Sequence, residues 1–590
     1  MPSENCPMRL QRSRPVVPWL LVVCAILLAT GCGGESGKAP DVGDTSGKRG
    51  GELIVLSAGD VLTLDPGSSN YVYEYQAIHH PTQRALYGWE PTKTVPSPDL
   101  ADGMPETSQS GKTVTIKLKP GIRYSPPLQK RTVVSADVKY ALERVFLNSV
   151  ANPYADVYFR AIKGVGAYRS GAATEISGIQ TPDDRTLVLQ LDEPVGVISN
   201  GQALALPASI PVPKDYASRF DRGQTSTYGA HQVFTGPYMI RNDGKGKITG
   251  YRPRRRLELV RNPSWDAKTD YRPAYLDTIT FRSGNDIELA SRRILAGTRQ
   301  VNGDFATPPV NTVRSALSTR RSQVAVVPSQ GVRFVALNTT VKPFDDVNVR
   351  RAVAAAIDRG ALRRTRGGEA LGQIATHFLA PEIPGHEQAG GAKGTFDFMR
   401  SPQANRGLAA KYLRKAGYAG GRYSGPPLLM VGESERPASA TAVALRSQLE
   451  KLGFRFTLRR FPSSKVAEEF CGNPSAKVAI CPNASLPKDL FDPQTVLGPV
   501  FNGSNIQPQF NVNQAQIDDP ELNAGFDIAA QEIDPEERAR LYAEIDRTVT
   551  GRAYVVPWIW DNAINIAAAD VKGVVNRFTA AWDMSYTSLR

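Results

Sequence analysis

The chain has 590 residues, of which 41% are hydrophobic and 22% charged, and its formal net charge is +14. This length exceeds the usual size of a single hydrophobic core, so we expect two or three lobes, and the composition is that of a globular protein rather than a disordered or fibrous one. Basic residues are scattered apart from a cluster at 252–256. We interpret that cluster as a solvated hairpin edge and expect no nucleic-acid binding.

The amino terminus predicts export. Three arginines precede an apolar run at residues 16–28, which is shorter than the about 20 residues that a membrane-spanning helix needs. Residues 1–31 therefore fit a signal peptide. The end of this segment, Ala29-Thr-Gly-Cys32, resembles the lipobox of bacterial lipoproteins, which implies that Cys32 carries a diacylglyceryl group. A plain signal peptide with an incidental Cys32 is the alternative.

The segment that follows Cys32 is polar and rich in glycine and serine. Such a composition predicts a flexible tether over residues 32–51. Two acyl chains hold a protein at a bilayer, whereas one chain binds only marginally. We find no later apolar run long enough to suggest a second membrane segment.

The cysteine count predicts one disulfide. Of the five cysteines, Cys6 and Cys24 lie in the predicted signal and Cys32 is the predicted lipid site, which leaves Cys471 and Cys481. In an oxidising compartment these two are expected to pair. The five histidines are far from Cys471 in sequence, so no local zinc motif is present. We expect no metal and no cofactor.

Hydrophobic periodicity predicts an α/β protein with mixed sheets. In the first half, strands are expected at 52–57, 113–118 and 186–191, a helix at 135–146, and a hairpin with strands at 238–241 and 257–260. In the second half, a strand at 428–431, a helix at 440–452 and a strand at 455–459 form a βαβ unit, which implies parallel strands. Further helices are expected at 349–358 and 535–549, the latter capped by Asp534.

Motifs of catalysis are incomplete. Gly111-Lys-Thr resembles the end of a phosphate-binding loop, but residue 106 is glutamate where that motif requires glycine. Ser485-Leu-Pro-Lys488 matches a serine–lysine tetrad in letters only, because Pro487 opposes the helix that this tetrad needs. The sequence therefore predicts a protein that is not an enzyme.

A series of short motifs in a fixed order resembles one family, the large extracytoplasmic solute-binding lipoproteins of peptide-type ABC importers, which include oligopeptide- and dipeptide-binding proteins. The motifs lie at 60–66, 85–89, 98–102, 114–124, 135–144, 234–238, 259–265, 337–339, 343–347, 350–358, 534–538 and 554–558. The resemblance implies an α/β, periplasmic-binding-protein-like fold of type II, in which three lobes form two hinge-joined halves around a ligand. It places lobe I at 52–95, 216–328 and 553–590, lobe II at 96–215, and lobe III at 329–552.

The same resemblance indicates ligand-binding residues. Peptide-binding members hold the ligand's ammonium on an aspartate three residues before an acidic–proline pair, and Asp489 has that position before Asp492-Pro493. Family members usually carry tryptophan three residues before this aspartate, where this chain has Leu486. A surface-loop carboxylate is the alternative for Asp489.

Tyr71, Tyr73 and Tyr75 alternate in a segment where the family places cleft residues. On a strand they would share one face and stack on a ligand. The alternative is that they form half-buried core.

The function that this resemblance implies is capture of peptides, or of related small solutes, outside the membrane and delivery to ABC permease subunits. We expect a monomer that is anchored to the extracytoplasmic face of the cell membrane through Cys32. A peptide-sensing signalling lipoprotein and a secreted enzyme on the same fold remain alternatives. Ligand identity and length stay open.

Overall fold

The computed structural model describes residues 40–70, 72–304 and 308–590. The predicted signal peptide, Cys32 and Tyr71 lie outside these residues. Among the described residues, no helix combines the length and the apolar character that crossing a bilayer requires.

The first sheet is mixed and contains the amino-terminal strand. Its order is Gln300–Asn302, Glu52–Leu56, Thr278–Arg282, Arg256–Arg261 and Tyr238–Ile240, with Tyr251–Arg252 paired to Arg256–Arg261. The first three strands run parallel, and the others are antiparallel to their neighbours. The predicted strand at 52–57 and the predicted hairpin are confirmed.

The second sheet is antiparallel throughout. Its order is Glu106–Thr107, Thr113–Lys117, Thr186–Gln190 and Ile179–Asp183. In the strand Thr113–Lys117, Val114 and Ile116 are buried while their neighbours are more exposed. This alternation is the pattern of a strand with one face in the core and one toward water, and it confirms both predicted strands.

The third sheet has six strands, in the order Gly372–Gln373, Val555–Ile566, Val324–Leu337, Ile480–Leu486, Leu428–Glu433 and Phe456–Phe461. The strands Leu428–Glu433 and Phe456–Phe461 run parallel and are connected by the helix Ala438–Glu450. The predicted βαβ unit is therefore confirmed. Further short strands pair as Tyr87–Gly88 with Ser97–Pro98, Val571–Lys572 with Ser588–Leu589, and Val575–Asn576 with Ala581–Trp582.

Helices cover these sheets. Those of eight residues or more are Ser135–Arg144, Ile287–Ala296, Val310–Thr319, Val347–Ala356, Arg359–Arg366, Arg406–Lys415, Ala438–Glu450, Pro493–Phe501, Pro520–Gln531 and Pro535–Gly551. The helix predicted at 349–358 ends at Ala356, because Asp358 accepts a hydrogen bond from Ala361 N and caps the next helix. Asp534 caps Pro535–Gly551 as predicted, accepting from Glu536 N and Glu537 N.

Shorter α-helices occur throughout the described residues, at Val72–Glu74, His80–Thr82, Val165–Arg169, Gly196–Ser199, Lys214–Ala217, His386–Ala389, Asp397–Arg400 and Ser463–Lys465.

Two long antiparallel strands, Val324–Leu337 and Val555–Ile566, pair with each other within the third sheet. Beyond Ile566 the chain lies against the first sheet, where Ala567 bridges to Val301. The pairing breaks between Pro328 and Val332, and Gln330 there has a φ of 56°, which is uncommon for a residue other than glycine. The predicted lobe boundary between residues 328 and 329 lies at this break. The lobe division itself stays a prediction.

Candidate ligand-binding cleft

The candidate site consists of two adjoining cavities, of about 460 Å³ and 260 Å³. Both are lined by Val72, Ser329, Arg333 and Asp561, and we call them together the cleft. The larger cavity takes its walls from residues at 69–70, 72, 75, 154, 206–207, 329, 331, 333, 485–489, 561, 563 and 578–580. Segments that are distant in sequence, including strands of the third sheet and the carboxyl-terminal segment, therefore contribute to one space, whose size is typical of small-ligand sites.

Asp489 lies in the wall of the larger cavity. It follows the strand Ile480–Leu486, and Asp492 holds the next turn by capping the helix Pro493–Phe501 and by ion pairing with Arg538 at 2.8 Å. The Tyr154 hydroxyl donates a hydrogen bond of 3.2 Å to Asp489 Oδ1. Burial raises the pKa of Asp489, although the Tyr154 hydrogen bond and the charge of Lys488 act against this shift. A desolvated carboxylate of this kind favours a cationic partner.

Lys488 extends over an aromatic layer next to Asp489. Its ammonium lies 4.6 Å from the ring centre of Phe491 and 5.1 Å from that of Phe578, and it donates a hydrogen bond to the carbonyl of Phe578. The Phe578 ring stacks on Trp89 at 4.4 Å. Burial lowers the pKa of Lys488 to about 7, while the charges of Glu382 and Asp489 act against this. The aromatic layer therefore supports the segment that carries Asp489.

Two arginines and one aspartate form a charged cluster where the two cavities meet. Arg333 Nε lies 2.7 Å from Asp561 Oδ2, and Arg366 Nε lies 4.0 Å from Asp561 Oδ1. Burial raises the pKa of Asp561 despite the two guanidinium groups. Burial, with the charge of Arg333, lowers the pKa of Arg366 to about 10. We call Arg333 and Arg366 the arginine pair.

The tyrosine segment differs from its prediction. Residues 72–82 are helical, with Val72–Glu74, a wider turn at Tyr75–His79, and His80–Thr82, so Tyr73 and Tyr75 do not share a strand face. Residues 73–82 are buried throughout, and tertiary packing on all sides leaves no period for a sequence pattern to show.

The two described tyrosines of this segment have different surroundings. The Tyr73 ring is in edge contact with Phe281 in the core, its hydroxyl is 2.5 Å from Ser57 Oγ, and one side reaches the smaller cavity. Tyr75, which lines the larger cavity, packs edge-on against Phe578. Most contacts of the Tyr73 side chain are therefore with the core, and only one side of it faces the smaller cavity.

Cys471 and Cys481 form the predicted disulfide, with their Cα atoms 6.1 Å apart. Cys481 belongs to the strand Ile480–Leu486, which precedes Asp489. The disulfide therefore restrains the strand that positions Asp489. Within residues 40–70, 72–304 and 308–590, no group of three or more His, Cys, Asp or Glu side chains is arranged to hold a metal ion.

Several cleft residues were missed by sequence reasoning, namely Tyr154, Arg333, Arg366, Asp561 and Phe578. Arg333 and Asp561 each stand in a largely apolar strand, in GVRFVAL and PWIWDNAINI. Charged residues are uncommon at such half-buried positions unless they are paired. A charged residue in such a strand is the signal from which they could have been identified.

Comparison with known proteins connects this geometry to a family. The family profile described as bacterial extracellular solute-binding proteins, family 5 Middle, matches residues 95–507. The glutathione-binding protein GsiB of Salmonella typhimurium is 23% identical over 527 residues, covering 88% of this chain and 91% of that protein. The oligopeptide-binding protein OppA of Bacillus subtilis is 24% identical over 381 residues, covering 63% and 64%.

Solved structures share the fold. The clavulanic acid biosynthesis oligopeptide binding protein 2 has a TM-score of 0.81 and 26% identity, with 94% of this chain and 99% of that chain covered. The periplasmic binding protein DppA of Helicobacter pylori, in complex with the peptide STSA, has a TM-score of 0.65 and 20% identity over 92% and 98%. These likenesses confirm the predicted α/β fold of periplasmic-binding-protein type. The names of these relatives describe binding proteins, in agreement with the prediction that the chain is not an enzyme.

Proposed function

This chain belongs to the bacterial extracellular solute-binding proteins of family 5, which serve ABC importers, and on that premise we propose that it captures short peptides and delivers them to a permease. The observation that carries the proposal is Asp489, a partly buried carboxylate in the wall of the larger cavity. Such a group supplies the negative charge that a peptide's free ammonium requires once that ammonium leaves water.

The surroundings of Asp489 suit the rest of a peptide. Leu486, Pro487, Leu206 and Pro207 give the larger cavity an apolar wall, against which short aliphatic or aromatic side chains can pack. Main-chain recognition needs few side chains on the protein, because an extended peptide binds mainly through its own amide groups. Leu486 stands where relatives usually carry tryptophan, and its smaller side chain leaves more room beside the ammonium position.

The relatives named above suggest peptide ligands to test. Their names describe binding of glutathione and of oligopeptides, and one solved relative holds the peptide STSA. Each of these ligands is a short peptide or peptide-like molecule with a free ammonium. We infer that the ligand of this chain has the same character.

We also propose that the protein works as a monomer attached to the extracytoplasmic face of the cell membrane, through a diacylglyceryl group on Cys32. The support is the sequence, in which a short apolar run precedes Ala29-Thr-Gly-Cys32 and a polar tether follows. Metabolic labelling with a fatty-acid analogue should mark the wild-type chain and leave Cys32→Ser unlabelled. Equal labelling of both chains would contradict the anchor.

The peptide assignment is tested by calorimetric titration of the purified full chain, in detergent, with trialanine and with N-acetyl-trialanine. Wild type should bind trialanine, and acetylation should weaken the affinity about 30-fold, because it removes a charge-assisted interaction. Asp489→Asn should weaken trialanine binding to the same extent. Asp527→Asn is the matched control, since Asp527 is exposed and outside the cleft.

Equal affinity of wild type and Asp489→Asn for trialanine would refute the ammonium anchor. Absence of binding of trialanine, of glutathione and of a longer peptide mixture, each tested at millimolar concentration, would refute the peptide assignment and leave the family membership standing.

A further inference from the structure

The first sheet carries a row of three arginines. The strand register places Arg256 directly opposite Arg282 on one neighbouring strand and directly opposite Arg252 on the other. All three residues are exposed. Residues that lie directly opposite each other on neighbouring strands share one face of the sheet, with Cβ atoms about 5 Å apart. We call Arg252, Arg256 and Arg282 the arginine row.

Few negative charges balance the arginine row. Arg256 forms an ion pair of 2.9 Å with Glu258, but Glu258 also pairs with Arg241 at 2.7 Å. In the part of the chain that the structure describes, Arg252 and Arg282 form no ion pair with a carboxylate. Like charges directly opposite each other on neighbouring strands destabilise a sheet. The row therefore contains a repulsion that a bound anion would relieve.

The chain around the row adds further positive charge. Residues 238–261 contain eight basic side chains and two carboxylates. Arg254 and Arg255, in the turn between the two paired strands, are exposed. Asp60 lies beside this turn, where its carboxylate accepts hydrogen bonds from Arg254 N at 2.6 Å and from the Tyr251 hydroxyl at 3.1 Å. An excess of cations therefore remains on this part of the sheet.

The amino-terminal segment reaches the folded part of the chain at the same sheet. The Tyr275 hydroxyl donates a hydrogen bond of 2.9 Å to Thr45 O, and Lys572 forms an ion pair of 2.7 Å with Asp44. Tyr275 precedes the strand Thr278–Arg282, which ends in the arginine row. The segment that leads to the proposed lipid anchor is therefore held beside a strand that carries one of the three arginines.

The distance along the chain from the proposed anchor to the row is limited. Fully extended, the chain from Cys32 to Asp44 spans at most about 40 Å. The strand Glu52–Leu56 then follows, and its Leu56 is aligned with Arg282, about 13 Å along the sheet from Glu52. A protein held at Cys32 therefore keeps the arginine row close to the surface of the bilayer.

We propose that the arginine row binds the anionic headgroups of phospholipids and thereby holds the first sheet against the membrane. The proposal rests on the proposed membrane attachment and goes beyond it, because an acyl anchor alone does not orient the protein. Guanidinium groups suit phosphate oxygens, to which they donate paired hydrogen bonds. An acidic protein surface would fit the same charge, but attachment keeps anionic lipid at a high effective concentration beside the row.

The test is chemical modification of arginine in the full chain. The purified protein is incorporated into vesicles of phosphatidylcholine, or of equal parts of phosphatidylcholine and phosphatidylglycerol, and treated with phenylglyoxal. Mass spectrometry gives the rate of modification at each arginine. In the anionic vesicles the rate at the arginine row should fall about 5-fold or more, the effect expected for one basic side chain at an anionic surface. Arg459 and Arg460, which are exposed on a strand of the third sheet, should react equally in both vesicles.

Salt and variants localise the effect. Raising the ionic strength from about 0.15 M to about 1 M shortens the screening length from about 8 Å to about 3 Å, and it should remove the protection. Arg252→Gln together with Arg256→Gln should reduce the protection of Arg282 to less than about 2-fold. The same two changes to lysine keep the charge and should keep the protection. Arg459→Gln together with Arg460→Gln is the matched control and should leave the arginine row protected.

Equal rates at the arginine row in neutral and anionic vesicles would overturn the proposal and would make an acidic protein surface the partner to test, with peptide capture unaffected. Protection that persists at high salt, or in the glutamine variant, would overturn it as well. A chain that dissociates from neutral vesicles and stays, at low salt, on anionic ones would refute attachment through an acyl group and still support the arginine row.

Discussion

Two clusters in this protein contain the same two residue types, arginine and aspartate, and differ in how completely their charges are paired. The first, which we call the core cluster, contains Arg84, Arg272, Asp99 and Asp270, whose side chains are at most 3% exposed. The second is the arginine pair with Asp561 in the cleft. Two cations meet two anions in the core cluster, whereas in the cleft two cations meet one.

The core cluster also has more complete hydrogen bonding than the cluster in the cleft. Arg272 donates to both oxygens of Asp270, at 2.9 and 2.8 Å, and to the carbonyls of His80 and Gln83. Burial alone would raise the pKa of Asp270, but Arg272 and Arg84 outweigh it and hold this pKa well below its usual range. The pKa of Asp561 is raised instead. The core cluster is therefore completely paired, whereas the cluster in the cleft is paired only in part.

The largest effect is expected from breaking the balanced cluster. Arg272→Gln leaves Asp270 and Asp99 with one guanidinium between them, so an uncompensated charge remains in the core. Removing one partner of a buried ion pair costs about 3–5 kcal/mol, and we expect a loss of that size in the free energy of unfolding. Urea denaturation at pH 7 measures it, with exposed Arg314→Gln as the reference. A loss below about 1 kcal/mol, the upper end of what surface pairs typically contribute, would contradict the comparison.

The same change in the cleft should have a small effect of opposite sign. Arg366→Gln leaves Arg333 and Asp561 as a balanced pair, so the unliganded protein should gain up to about 1 kcal/mol in its free energy of unfolding. The measurement is urea denaturation of the ligand-free chain. A loss as large as that of Arg272→Gln would mean that the arginine pair is structural, and the distinction between the two clusters would fail.

The smallest effect concerns pH and Lys488, which forms no ion pair with a carboxylate among the described residues. Burial lowers its pKa to about 7, whereas the unfolded chain keeps a lysine pKa of about 10.4. Between these values the unfolded state binds more protons, so this group makes stability rise with pH. Lys488→Met should remove that rise.

The expected difference between wild type and Lys488→Met, comparing pH 6.5 with pH 9, is on the order of 1 kcal/mol once screening by water in the cleft is allowed for. Urea denaturation at the two pH values measures it. Parallel changes in wild type and variant would show that Lys488 titrates normally and that the cleft does not desolvate its charges.

Much of the fold could be predicted because its strands and helices show clear periods. The alternation at 113–117 arises from one buried face, and the first strand of the βαβ unit, Leu428–Glu433, is mostly buried. The tyrosine segment was predicted wrongly as a strand. In the structure it is helical, and Glu74 links it to the preceding loop by accepting hydrogen bonds from Leu62 N, Thr63 N and Ser69 Oγ. Such tertiary contacts leave no local pattern.

The site could be predicted only in part. Asp489 was found through a motif with a fixed offset, and it lies in the cleft. The arginine pair could not be found in that way, because Arg333 and Arg366 belong to different elements and meet Asp561 only after folding. The balance of charges within a cavity depends on the folded structure and cannot be read from the sequence. It is this balance that distinguishes Arg366 from the many other arginines of this basic chain.

The break in the long strand pair has a mechanical consequence. At Pro328–Val332 the ladder loses its pairing, and we propose that one end of the pair turns against the other about this point. Arg333 and Asp561 lie beside this point. The contact between Tyr154 and Asp489 joins two segments that are distant in sequence, so a ligand held at Asp489, as proposed, would lie against both of them.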